Sequence, residues 1–133
     1  MTARGIRNHN PGNIRHGEQW QGLAKEQTDP AFCVFISNEY GCRALLKTIS
    51  TYVKKYDLTT INDIINRWAP ASENNTSAYV MYVANALGKG TTEKLTFNKG
   101  TLIALGKAIA SYENGPEAKV LTKDTWEKAY ALL

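Results

Sequence analysis

Apolar residues recur at three- and four-residue spacing through the middle of the chain: Tyr40, Cys42, Leu45, Leu46, Ile49, Tyr52, Val53 and Tyr56. That period predicts an amphipathic helix over Asn38–Tyr56, with Ser37 as its N-cap. A shorter helix follows, capped by Thr59 or Thr60, with Ile61, Ile64, Ile65 and Trp68 on one face and Pro70 beyond its end. Asn75 or Thr76 caps a third helix with Tyr79, Val80, Val83 and Leu87 inward, and Gly88 stops it. A fourth starts at Asn98 or Thr101, runs through Tyr112 and ends at the Asn-Gly-Pro of 114–116. Thr122 caps a last helix carrying Trp126, Tyr130 and Leu133.

The first 29 residues hold no such period. Gly5, Pro11, Gly12, Gly17 and Gly22 punctuate them, which reads as loop with a short strand at Gln19 to Leu23. The aromatic and β-branched run AFCVFIS, Ala31 to Ser37, reads as a partner strand and completes a hairpin with the WQGL segment. The expectation is a mainly α (α+β) fold, five helical segments with a small β-hairpin near the N-terminus and a ligand groove between hairpin and helices.

At 133 residues and 43% hydrophobic, the chain is expected to form one domain, residues 1–133, burying a core without metal or disulfide. The net charge of +4 favours an anionic partner, but the excess is modest and spread along the chain. No early apolar run is long enough for a signal peptide, and none reaches the ~20 residues needed to span a bilayer. The expectation is a chain made in the cytoplasm without membrane insertion.

The stretch RNHNPGNIRHGEQWQG, Arg7 to Gly22, is the most polar of the sequence and raises the question of its chemistry. His9 and His16 match no metal-ligand spacing, and neither a phosphate-binding glycine loop nor a nucleophile elbow is present, so no metal or cofactor is expected. Cys33 and Cys42 fit no redox or zinc spacing and are expected as buried thiols. Of the twelve acidic residues, Asp57, Asp63, Glu93, Glu113, Glu117, Asp124 and Glu127 read as surface charge on or beside helices.

Glycosidic hydrolysis needs a carboxyl group as acid and often a second as base or charge stabiliser. Glu73, Glu18 and Asp29, in or next to loops, are the candidates. Glu73 lies in RWAPASENNT beside a helix N-terminus, where the dipole and free N–H groups favour negative charge, a setting that also suits a merely structural carboxylate. Trp20, Trp68 and Tyr79 with Asn10, Asn13, Asn74 and Asn75 are residue types that stack on sugar rings and pair with hydroxyl and acetamido groups. Core packing accounts equally well for Trp68 and Tyr79.

The ordered blocks RGIRNHNPGNIR, WQG, DPAFCVF, YGCRA and RWAPASENNTSAYVMYV resemble a phage and prophage family of virion or structural proteins whose members are suspected wall-degrading enzymes. They are more distantly similar to flagellar-type glucosaminidases of the lysozyme-like superfamily, with Asn13, Trp20, Gly22, Phe35, Tyr52, Ala69 and Tyr79 in corresponding order. The resemblance implies a lysozyme-like domain acting on peptidoglycan, as muramidase, glucosaminidase or lytic transglycosylase. It implies a saccharide groove with Asn10, Asn13, Arg15, Trp20, Arg67, Trp68, Asn74, Asn75 and Tyr79 facing substrate. Action in the periplasm or at the cell wall, with other virion proteins as partners and no nucleic acid, goes with it. In the glucosaminidases the catalytic glutamate lies on a helix ahead of the asparagine-rich turn; here only MTARGIRN precedes it, without a carboxylate. The alternatives are a non-catalytic virion or wall-binding protein, and an endopeptidase using Cys33 or Cys42.

Overall fold

A computed structural model describes residues 2–133. The described elements are α1 (Arg4–Arg7), α2 (Asn38–Tyr56), α3 (Ile61–Trp68), α4 (Thr76–Leu87), α5 (Lys99–Asn114), a 3-10 segment (Gly115–Val120) and α6 (Lys123–Ala131). The protein is mainly helical. Each of the five longer helices starts at a side-chain cap, Ser37, Thr60, Asn75, Asn98 or Thr122, whose oxygen accepts from a backbone N–H in the first turn. Two short pieces escaped the sequence reading. Helix α1 is too brief to show a period, and the 3-10 segment opens on Gly115 at φ 65° with Pro116 in its first turn.

Helices α2 and α5 pack on one another; α6 lies along α2, α4 along α5, and α3 joins α4 beside the end of α2. Their apolar faces form one large cluster around Leu45, Leu46, Ile49, Ile64, Ile65, Tyr79, Leu105, Ile109 and Trp126. A satellite cluster of Cys33, Phe35 and Ala44, with Ile14, Trp20, Leu23 and Tyr40 against it, holds the N-terminal segment onto α2.

That segment corrects the hairpin expectation. Its strands shrink to two isolated antiparallel bridges, Arg15 with Phe32 and Leu23 with Phe35. Backbone bonds hold each bridge, Ala24 N to Val34 O and Ile36 N to Gly22 O at one, Cys33 N to Ile14 O and His16 N to Ala31 O at the other, and side chains add to them. Gln27 bridges Ala24 and Val34, donating to both carbonyls and accepting from Val34 N, and Asp29 accepts from the N–H groups of Ala31 and Phe32. Asn10, fully buried, donates to the carbonyls of Ile14 and Cys33 and accepts from Ile14 N. The polar stretch is thus folded, with the Asn10 amide serving as an internal strut for a backbone whose own pairing is confined to the two bridges.

Gly41 explains how closely it docks. A side chain there would run into the carbonyl of His9, a backbone atom that no rotamer change can move aside, with Pro11 Cδ 3.0 Å away. The first turn of α2 therefore abuts the 9–11 backbone directly, and that contact sets the position of every residue after it.

Candidate active site

The docked segment forms one wall of a cleft of about 610 Å³. Gly12 to Glu18 and Trp20 make this wall, Glu73 and Asn74 lie opposite, and Thr48, Thr51 and Tyr52 of α2 with Trp68 and Glu113 line the remainder. The two stretches singled out in the sequence, RNHNPGNIRHGEQWQG and RWAPASENNT, therefore share one cavity.

Of the residues expected there, Asn13, Arg15, Glu18, Trp20, Arg67, Trp68, Glu73 and Asn74 line the cleft. Four do not. Asn10 is wholly engaged by backbone, and Asn75 caps α4 by accepting from Ala78 N and borders a separate depression. Tyr79 lies in the core, behind the lining. Asp29 is spoken for: Arg4 Nε and Nη2 each donate to it at 2.6 Å, and Asn8 Nδ2 at 2.9 Å.

Those donors decide how Asp29 titrates. The Arg4 hydrogen bonds, helped by the N–H of Ala31, the Asn8 amide and the N–H of Phe32, hold the Asp29 carboxyl far below the usual carboxylate range against the opposing effect of burial. A depressed folded-state pKa contributes stability that is complete above the unfolded value of about 3.9 and is lost as pH falls below it toward the folded value. Asp29→Asn is therefore expected to destabilise the protein at pH 7 and to differ less from the parent at pH 3, read as urea midpoints at each pH. An equal gap at both pH values would show that the carboxylate charge is not what the site uses.

The carboxylate that the sequence reading assigned to the surface is the one most firmly built into the cleft. Glu113, in the last turn of α5 and half-buried, accepts from Asn13 Nδ2 at 3.0 Å through Oε1 and from the Tyr79 hydroxyl at 2.8 Å through Oε2. Tyr79 accepts in turn from Trp68 Nε1 at 3.1 Å. Burial first, and then the neighbouring Glu113 charge, push the Tyr79 phenol far above its ordinary range, so it stays a donor at any working pH. Asn13 reaches Glu113 from a left-handed backbone, φ 50°, a conformation that asparagine tolerates better than most residues. Trp68, Tyr79 and Asn13, three of the residues chosen for sugar binding, so converge on a carboxylate contributed 100 residues after Asn13. The only local hint was its place one residue before the Asn-Gly-Pro helix stop.

Glu18 and Glu73 are exposed on the cleft rim, each without an ion-pair partner among the described residues. Cys33 and Cys42 are buried and unbonded, and burial pushes both thiols up, so neither offers a thiolate to substrate. Among the described residues, no group of three or more His, Cys, Asp and Glu stands close enough to hold a metal ion, and no helix is long and apolar enough to cross a membrane.

No family model matches the chain. Protein P5 of Pseudoalteromonas phage PM2, however, is 42% identical over 118 residues, covering 86% of this chain and 72% of the phage protein. The chain belongs to the protein P5 family. Membership bears out the phage kinship expected from the sequence blocks. The alignment's reach through 86% of the chain exceeds the span of those blocks, the last of which ends at Val83, so the P5 likeness cannot be confined to the N-terminal wall and α2–α4.

Proposed function

We propose that this protein cleaves the glycan backbone of bacterial peptidoglycan, as a muramidase, glucosaminidase or lytic transglycosylase on a lysozyme-like helical domain. The observation that carries the reading is Glu113, held by Asn13 and Tyr79 at the edge of a cleft walled by Trp20, Trp68 and Tyr52. Aromatic faces suit the apolar faces of pyranose rings, and the amides of Asn13 and Asn74 suit hydroxyl and acetamido groups.

In this reading Glu113, whose two oxygens both accept hydrogen bonds, works as a carboxylate: it supports the positive charge developing on the sugar or activates the incoming nucleophile, which is water in a hydrolase and the muramic 6-hydroxyl in a transglycosylase. A rim carboxyl, Glu18 or Glu73, delivers a proton to the glycosidic oxygen as the bond breaks. The glutamate that the glucosaminidases carry ahead of their asparagine-rich turn is replaced by one from the far end of the chain. The site of action is the cell wall or periplasm, with delivery as part of a phage particle alongside other virion proteins, and without nucleic acid as a ligand.

Kinship to a phage protein favours a second reading, a non-catalytic virion component or wall-binding module. Product analysis of purified peptidoglycan separates the two. New reducing ends identify a hydrolase and anhydro-muramic ends a transglycosylase. Co-sedimentation of the protein with walls that release no fragments would sink the enzymatic reading and leave the binding one.

A further inference from the structure

We infer that the cleft recognises carboxylates as well as sugar rings, and so selects glycan strands that still bear their stem peptides; the inference rests on the cell-wall reading. Arg15 and Arg67 line the cleft and are exposed, and among the described residues neither pairs with a carboxylate. Both are nonetheless held in place. The Arg15 guanidinium lies 4.9 Å from the Phe32 ring centroid, and that of Arg67 lies 3.8 Å from Tyr56 and 5.3 Å from Tyr52. Contact with a ring occupies the face of a guanidinium and leaves its edge, where the N–H donors lie in a planar fork, open to a partner.

Arg4 shows the alternative. It too sits over Phe32, at 4.5 Å, but its fork is closed on Asp29. At the cleft the fork edges are open.

Sugar hydroxyls alone do not call for two positioned guanidinium groups, whereas carboxylates match the fork with two parallel hydrogen bonds. A nucleic acid or other polyanion fits poorly. No lysine lines the cleft, and Glu18, Glu73 and Glu113 place negative charge along it, so the two arginines suit discrete carboxylates and not a continuous phosphate track. The stem peptides of peptidoglycan carry such carboxylates at spaced positions along an otherwise uncharged glycan.

Binding of the full chain is to be measured with three probes: glycan strands bearing stem peptides, the same strands with their stem-peptide carboxylates converted to amides, and a neutral chitin oligosaccharide. The parent should bind the untreated peptide-bearing strands about tenfold more tightly than the amidated ones, equivalent to about 1.4 kcal/mol. In the double variant Arg15→Gln, Arg67→Gln the ratio of the two strand affinities should fall to about one. Lysine at both positions should restore only part of the preference, because an ammonium is not a fork. Equal parental affinity for both strand types would overturn the inference alone. So would a double variant, unchanged in thermal melting, that weakens towards all three probes equally. Failure to bind any of the three would overturn the cell-wall reading together with it.

Discussion

Glu113→Gln is expected to slow digestion of peptidoglycan by at least about 100-fold, the lower range for general acid–base work. The substitution keeps shape and removes the negative charge. It also replaces two accepting oxygens with one, so either Asn13 Nδ2 or the Tyr79 hydroxyl meets an N–H. The hydroxyl can turn to accept, and the expected stability cost is correspondingly no more than about 1 kcal/mol. Activity and stability should therefore separate, which a merely structural carboxylate would not allow. Glu73→Gln and Glu18→Gln, on exposed rim positions, provide the comparison: whichever of the two delivers the proton should be slowed as well, and the other should not. Digestion by the Glu113 variant at the parent's rate would remove Glu113 from the chemistry.

Leu46→Ala and Ile49→Ala are each expected to destabilise the protein by about 2–5 kcal/mol, the transfer loss of a buried aliphatic chain plus the cavity it leaves. Both side chains are fully buried on α2, the helix against which α3, α5 and α6 pack. The gap cannot collapse easily. A Cβ at Gly106 would already sit 2.8 Å from Leu46 Cδ2 and from the Trp126 ring, so α5 and α6 meet α2 here without slack. Losses below about 1 kcal/mol at both positions, from urea unfolding, would mean that α2 is not the helix around which the core is built.

The helices were legible in the sequence because their determinants are local. The spacing of Leu45, Leu46 and Ile49 and the caps at Ser37, Thr60, Asn75, Asn98 and Thr122 each depend on residues within a turn or two. The N-terminal segment was legible only in outline. AFCVFIS has the composition of a strand and does pair through its backbone, but with three different stretches, at Asn8, at Ile14 to His16 and at Gly22 to Ala24, and spacing does not encode how the pairing is shared out.

The cleft shows the same division. Both of its walls could be picked out by composition, since tryptophan, asparagine and arginine clustered in short loops are conspicuous. Glu113 could not. It stands on a helix among ordinary polar residues, and the amide and phenol that distinguish it arrive from residues 13 and 79. Tyr79 stood between core and ligand for the complementary reason: spacing puts its ring inward, where it is buried, but does not show that its hydroxyl reaches Glu113.

The bonds that tie the first wall to the last turn of α5 also fix an order of events on the ribosome. Asn13 is held by Glu113, and the carbonyl of Pro11 by the Asn114 amide, across separations of 100 and 103 residues. The N-terminal segment is synthesised first, yet these contacts must wait until α5 has left the exit tunnel. A nascent chain arrested after α4 holds both loop walls of the cleft but neither the carboxylate nor its clasp. The cleft is thus closed only once α5 has emerged, and a product cut short before it has two walls with nothing to join them.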